Sequence, residues 1–388
     1  MSAKIEQVKP ICFYLPQFHT IPENDEAHGK GFTEWTNVKK ARPLFENHNQ
    51  PRIPKDGNYY CLLDEGIMEE QAKLAKDFGI YGFCYYHYWF KDGKKVLEKP
   101  LEMMLRNPKI DIPFCVCWAN ENWTKRWDGG NNEVILKQDY GDLHDLINHV
   151  DYLCEFFKDK RYIYIDGVPL LVIYKPELIP NLKKYIRHIR KRVVDNGFKG
   201  VKIAIQYPKY FLDGGKLNVF DYYIEFEPQY IESYRLNQAK SGIKKALKCT
   251  LLNLNCDKIV RKIEEQGAKR YGKMHPKKVL NHQDYDKSWG DIIEHKIIDK
   301  RQIAGAFIDW DNTPRNKTGK VYDGVTPEKF EKYMIQLLKK ISKDYNSEFL
   351  FINAWNEWAE GAYFEPDEKN GFAYLQAMKK ALEQTGNL

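Results

Sequence analysis

The sequence predicts a (β/α)8 barrel, and three observations lead there. Eight short β-rich runs recur along the 388 residues, and most are continuous apolar stretches rather than alternating ones. Strands buried on both faces of a parallel sheet read this way. Stretches of helical period separate the runs to the end of the chain, which favours closure. No glycine-rich fingerprint follows the first run, so an open doubly wound sheet is the weaker alternative.

The first strand is expected over Ile11 to Leu15. It leads into about forty residues, Phe18 to Asn58, rich in Pro, Asn, His and Lys; so long and polar a connection reads as a functional loop folded over the barrel mouth. A helix over Glu65 to Phe78 follows, with Ile67, Met68, Ala72, Leu74 and Ala75 as its apolar residues, then strands over Tyr81 to Tyr86 and Pro113 to Trp118. Helical period returns over Asp142 to Phe157, followed by a strand at Leu170 to Tyr174, a helix over Pro176 to Val194, and strands at Val201 to Gln206 and Asp221 to Phe226. An insertion, 231–300, separates these from the seventh strand, Ile303 to Trp310. A helix over Pro327 to Ile341, the eighth strand at Phe349 to Trp355 and a helix over Gly371 to Leu382 close the pattern. The expected organisation is therefore one barrel domain over 1–388 carrying the 231–300 insertion.

The net charge of +7 is regional, because 231–300 holds 16 basic and 9 acidic residues and so carries the whole excess. Within it, 235–278 has 13 basic and 3 acidic residues, and its first half reads as an amphipathic helix pair (Ile243, Leu247, Leu251 and Leu254, then Ile259, Val260 and Ile263) interleaved with lysines and arginines. Few aromatics and no known module accompany those charges, so nucleic acid is not an expected partner. The segment is read either as a solvated pair packed on the barrel or as a peripheral contact with an anionic membrane surface. No apolar run approaches the length of a spanning helix and the N-terminus lacks an apolar signal core, so the expected location is the cytoplasm. Cys12, Cys84, Cys115 and Cys117 sit in apolar runs and read as reduced core thiols. No metal or other cofactor is expected.

In such a barrel the active site is assembled just past the C-terminal ends of the strands. Strand one delivers Tyr14, Gln17 and His19 there, and the loop behind it Trp35; strand two delivers Tyr86, His87, Tyr88 and Trp89; strand three Trp118, Asn120, Glu121, Trp123 and Arg126. Strand five supplies Gln206, strand six Glu225 and Glu227, strand seven Asp309 and Asp311, and strand eight Trp355, Asn356, Glu357, Trp358 and Glu360. Aromatic faces beside carboxylates and amides suit a sugar, whose C–H faces pack on rings and whose hydroxyls need convergent donors and acceptors. The competing reading is that single aromatics plug the barrel. Glu357 and Glu360, three apart, share a face if the chain turns helically, and two neighbouring carboxyls with divergent pKa values are what acid/base work on a glycosidic bond needs. An exposed first helical turn would equally favour glutamates. His19 and His87 are read as hydrogen-bonding residues. Asp309 and Asp311 have the Asp-x-Asp spacing of some metal-dependent sugar transferases, but sugar-hydroxyl binding or helix capping is the preferred reading. Glu121, behind Asn120, is assigned to substrate binding, with catalysis as the alternative.

Five ordered motifs carry a resemblance: Tyr14 to His19 (YLPQFH), Gly31 to Val38 (GFTEWTNV), Gly82 to Trp89 (GFCYYHYW), Trp118 to Thr124 (WANENWT) and Asn353 to Gly361 (NAWNEWAEG). Together they resemble the WbsX family, classed as glycosyltransferases of bacterial lipopolysaccharide and capsule biosynthesis. That family is in turn similar to glycoside hydrolase family 99, endo-α-mannosidases with (β/α)8 barrels and an Asn-Glu-Trp-His-Glu-Gly motif; Asn356 to Gly361 matches it with Ala359 in place of the His. The resemblance implies that Glu357 assists the sugar's own 2-hydroxyl as an internal nucleophile and that Glu360 is the general acid/base of a retaining reaction. The expectation is therefore an enzyme that makes or rearranges glycosidic bonds in surface-polysaccharide assembly, with a glycan or sugar-donor substrate that includes lipid-linked forms. Outright hydrolysis and a non-catalytic carbohydrate-binding barrel are the alternatives.

Overall fold

Eight parallel strands close on themselves in the computed structural model, which describes residues 5–125, 133–207, 216–238 and 280–388. They are β1 (Lys9–Tyr14), β2 (Gly82–Trp89), β3 (Phe114–Trp118), β4 (Val168–Ile173), β5 (Lys202–Tyr207), β6 (Tyr222–Glu225), β7 (Gln302–Phe307) and β8 (Phe349–Asn353). Each pairs in parallel with the next, and Ile11 of β1 lies opposite both Gly82 of β2 and Phe351 of β8, which closes the ring. All eight predicted strands are present, with ends shifted by a few residues. Gly305 lets β7 approach β6: a Cβ there would lie 1.5 Å from the Glu225 carbonyl oxygen, so no other residue fits.

The rings inside the barrel identify which face of each strand points inward. Phe13 of β1 meets Tyr86 of β2, Phe226 beyond β6 and Phe351 of β8 at centroid distances of 5.6, 5.3 and 5.6 Å. Strands 1 and 6 are not neighbours, so these side chains can converge only in the interior. Successive strand residues alternate faces, so Tyr14, His87 and Trp89 point to the surrounding helices.

Ten helices accompany the strands among the described residues: α1 (Pro22–His28), α2 (Glu34–Lys40), α3 (Ile67–Asp77), α4 (Lys99–Arg106), α5 (Leu143–Phe157), α6 (Leu182–Asp195), α7 (Gln229–Gln238), α8 (Tyr285–Glu294), α9 (Pro327–Asp344) and α10 (Ala373–Gln384). Local sequence explains the strongest of them. The Asp142 side chain accepts the His144 and Asp145 amides at the start of α5, and Leu146, Val150, Leu153 and Phe157 form its buried stripe. Thr326 and Pro327 start α9 in the same way, and Phe330, Met334, Leu337 and Ile341 face the barrel. Each such side chain contributes about 1.5–3 kcal/mol on burial.

The long connection after β1 carries α1 and α2 and is strapped across the mouth to strand seven. His48 Nε2 and Gln50 Nε2 contact Asp311 Oδ2 at 2.9 and 2.7 Å, and Arg52 Nη2 donates to Asp309 Oδ2 at 2.8 Å. α8 and most of α7 fall within 231–300. The basic stretch between them, including the predicted pair Ile243 to Ile263, lies outside the described residues, as does Arg126. No helix among the described residues is long and apolar enough to cross a membrane.

Candidate active site

A short hairpin follows β8, formed by β9 (Asn356–Glu357) and β10 (Ala362–Tyr363) around a tight helical turn over Trp358–Glu360. Three contacts fix it. The Asn356 amide accepts the Leu15 N–H at 2.7 Å and donates to the Leu15 carbonyl at 3.0 Å, tying the hairpin to the end of β1. The Asp311 N–H donates to the Glu360 carbonyl at 2.7 Å. Gly361 closes the turn at φ +66°, where a Cβ would also lie 2.8 Å from the Asp311 nitrogen, so both backbone and space require glycine.

The turn puts Glu357 and Glu360 on one guanidinium. Arg315, four residues past Asp311, donates from Nη1 to Glu360 Oε1 at 2.6 Å and contacts Glu357 Oε2 from Nη2 at 3.3 Å. Contacts of that length to one planar fork place the two carboxyl oxygens no more than roughly 9 Å apart. A third carboxylate arrives from the first loop: Glu34 Oε1 accepts from Arg315 Nη2 at 2.6 Å and from the Ala359 N–H at 2.9 Å. Burial and the neighbouring Glu360 push Glu357 well above the ordinary carboxylate range, against the pull of Arg315. Glu360 is raised by burial and by Glu34, again against Arg315. Two neighbouring carboxyls at one cation titrate as a unit, and both shifts run in the direction that favours a proton on the pair.

Phenols and an amide line the barrel beneath this pair. Burial raises the pKa values of Tyr86, Tyr88 and Tyr174, and Glu357 raises each further, as Glu121 does for Tyr88 and Tyr174 and Glu360 for Tyr174. Tyr86 Oη lies 3.4 Å from Gln206 Oε1. Glu121 pairs with Lys175, and Trp123 packs edge-on against Tyr88 at 4.9 Å while its indole N–H donates to Asn24. Of the residues singled out in the sequence, the structure therefore gathers Tyr86, Glu121, Trp123, Gln206, Glu357 and Glu360, and it adds Glu34, Tyr174 and Arg315. Tyr88, of the strand-two cluster, joins them.

Other predicted site residues have partners elsewhere. Tyr14 Oη donates to Gln71 of α3 at 2.6 Å. His87 Nε2 meets His149 Nε2 of α5 at 3.0 Å, with burial pulling the His87 pKa down to about 3, and Trp89 stacks on His149. Trp118 packs against His149 and Tyr185, and Trp355 against Phe83. These five lie on the outer face of their strands, in the layer between barrel and helices. Asn120 bridges Lys175 and Tyr140. Glu225 accepts from His295, Gln302 and Tyr345 in the wall; burial alone would raise its pKa, but His295, Tyr345 and Lys340 bring it below the usual value. Glu227 accepts the Ile231 N–H near the start of α7. Asp309 and Asp311 hold the strap of the first loop, and the hydrogen bonds from His48, Thr313 and Gln50, with Arg52, outweigh burial and depress Asp311. His19 and Trp35 line a cleft of about 340 Å³ within the first loop. Gln17 is fully buried, with neither amide atom hydrogen-bonded to a described residue. No cluster of three or more metal-ligating side chains occurs among the described residues.

Trp358, between the two glutamates, is held by a buried carboxyl. Its indole N–H donates to Glu365 Oε2 at 2.6 Å, its ring stacks on Tyr363 at 3.8 Å, and Tyr60 and Gln71 complete the Glu365 shell. Burial raises Glu365 from 4.5 to about 7 despite those donors. The folded state thus keeps a proton that the unfolded chain releases, so stability should fall as pH rises from about 4.5 to about 7, by about 3 kcal/mol from this group. Urea titrations across that window should show the slope in the native chain and its loss in Glu365→Gln; an equal slope in both would remove Glu365 as its source.

The family model described as Glycosyltransferase WbsX matches residues 10–378. Two curated relatives, both called uncharacterized protein WxcX and from two strains of Xanthomonas campestris pv. campestris, are 34% identical over 376 residues, covering 96% of this chain and 49% of theirs. The chain thus spans about half the length of the curated relatives it matches. Among solved structures, the GH99 endo-α-mannosidase from Bacteroides thetaiotaomicron in complex with bis-tris-propane superimposes with a TM-score of 0.51 at 12% identity, covering 97% of each chain. A glycoside hydrolase-like protein gives 0.54 at 12% identity over 98% of this chain and 95% of its own. At such identities the likeness shows the fold: the barrel of this chain is that of those enzymes.

Proposed function

The chain belongs to the WbsX glycosyltransferase family, and from that premise we propose that it is a carbohydrate-active enzyme of surface-polysaccharide biosynthesis in which Glu357 and Glu360 act as a pair on one glycosidic bond. The observation that carries this reading is the convergence of both carboxylates, with raised pKa values, on the Arg315 guanidinium in a mouth floored by Tyr86, Tyr88, Tyr174 and Gln206. Glu360, partly buried at the rim and more exposed than Glu357, is the group that protonates the departing oxygen. Glu357, deeper and beside the phenols, takes the proton of the sugar's 2-hydroxyl as that oxygen closes on the anomeric carbon. Glu360 then removes the proton of the incoming hydroxyl as its oxygen bonds to the anomeric carbon; the bond from that carbon to O2 breaks, Glu357 returns its proton to O2, and the two displacements leave the configuration retained. The reading extends to a lipid-linked donor, and to contact of 235–278 with an anionic leaflet at the cytoplasmic side, supported by that segment's 13 basic and 3 acidic residues.

Transfer and hydrolysis share the first half of this sequence and part only at the acceptor, a sugar hydroxyl or water. Mass spectrometry and NMR of products formed from lipid-linked and free oligosaccharides with an acceptor sugar separate them. Elongated glycans with retained anomeric configuration are expected. New reducing ends without transfer products would overturn the transferase assignment, and saccharide binding without any bond cleavage would overturn the enzymatic one.

A further inference from the structure

We propose that Glu34 is a positioning residue for the glutamate pair: it holds Arg315 and the Ala359 amide so that Glu357 and Glu360 share the guanidinium without being neutralised by it. This rests on the reading of those two residues as the working pair and deepens it. Glu34 reaches the site from the loop after β1, 281 residues away from Arg315 along the chain, and its side chain is 0% exposed. Its N–H donates to the Gln17 carbonyl at 2.9 Å, and the reciprocal Thr33 and Thr36 bonds fix the first turn of α2 around it. The carboxylate is therefore delivered by a rigid element.

The contacts divide Arg315 unequally. Nη2 serves two acceptors, and Glu34 Oε1 holds it at 2.6 Å while Glu357 Oε2 is left at 3.3 Å. A charge-assisted bond of the shorter length is the strong one. Glu34 Oε2 is buried without a hydrogen bond to any described residue, so no donor there offsets its charge. The single positive charge thus faces three carboxylates, and Glu357 receives the smallest share of it. The Ala359 N–H adds a geometric part, because Glu34 Oε1 fixes the middle of the turn that spaces the pair. The groups facing Glu357 and Glu360 are Arg315, Glu34, Lys320 near Glu360, and the phenols Tyr86, Tyr88 and Tyr174, with Glu121 beyond the last two. Among them Glu34 is the carboxylate that supports the pair's proton from outside the pair at direct contact with Arg315.

Glu34→Gln preserves shape and the acceptor for the Ala359 amide but removes the charge. Arg315 would then fall wholly to Glu357 and Glu360 and pull their titration down. Carbon-13 NMR of glutamate-labelled chain, with the two signals assigned through Glu357→Gln and Glu360→Gln, reads this without any substrate. The expected result is a titration of the pair at least about one pH unit lower in Glu34→Gln than in the native chain. Glu34→Asp, with its carboxylate withdrawn by one methylene, should shift it in the same direction by less. Unchanged titration in both variants, each folded by circular dichroism, would overturn the inference. Failure of the paired-glutamate reading would show separately, as full turnover in Glu360→Gln whatever the titration does.

Discussion

Arg315→Met should lose about 3–5 kcal/mol of stability at pH 7.5, the cost of leaving buried carboxylates without their cation. Arg315 is 11% exposed and touches Glu34, Glu357 and Glu360, side chains that are 0, 10 and 24% exposed, so solvent replaces little of what is removed. The loss should depend on pH in a defined direction. Without Arg315 the folded-state pKa values of Glu357 and Glu360 rise further, while those of the unfolded chain stay near ~4.3. The folded variant then holds protons that the unfolded chain has released, so its stability falls as pH climbs above that value and approaches the native chain's as pH drops below it. Urea unfolding at pH 4 and 7.5 checks this; an equal deficit at both would mean that Arg315 acts through packing and not charge. Arg315→Lys should recover only part of the loss, because one ammonium cannot span the acceptors that the fork reaches.

The barrel was legible because its strands are buried on both faces. Runs such as Leu170 to Tyr174 and Phe349 to Ile352 are apolar throughout, and each lies in a strand within a few residues of the expected place. The same property hid the facing of each side chain. A strand with one wet face announces its inner residues by alternation; Gly82–Trp89 is buried at every position and does not. Hence His87 and Trp89, read as mouth residues, stand against α5, and Tyr86 and Tyr88 face the pair. Register with a neighbour whose inner face was known would have settled it, since Phe13 and Tyr86 stack only inside the barrel.

The segment after β8 was legible only in part. Its spacing allowed two geometries, and only the helical turn brings Glu357 and Glu360 together; Asn356, bonded twice to the Leu15 backbone, selects it. Arg315 and Glu34 were not found. Glu34 lies inside the Gly31 to Val38 motif beside the more conspicuous Trp35, and Arg315 follows Asp311 by four residues in a loop whose aspartates carry the visible pattern. Neither has a local signal. They meet because barrel closure brings the first and seventh strand ends beside the eighth, and a strand-by-strand list cannot show which members of different strands share a charge.

Glu360→Gln and Glu357→Gln should each lower turnover by roughly 10²–10⁴-fold, the range for removing a positioned acid or base, while leaving saccharide binding and unfolding midpoints near native values. Glutamine keeps the volume and an acceptor oxygen toward Arg315, so geometry survives and only proton transfer is lost. The two losses should not add: once one member is neutral the other has little to do, and the double variant should resemble the poorer single one. Turnover of Glu360→Gln beside the native chain, on a lipid-linked or free oligosaccharide that both bind equally, tests the central claim most directly. Retained binding with a loss of at least about a hundredfold in product formed is expected; native turnover in that variant would rule out Glu360 as the acid of the reaction.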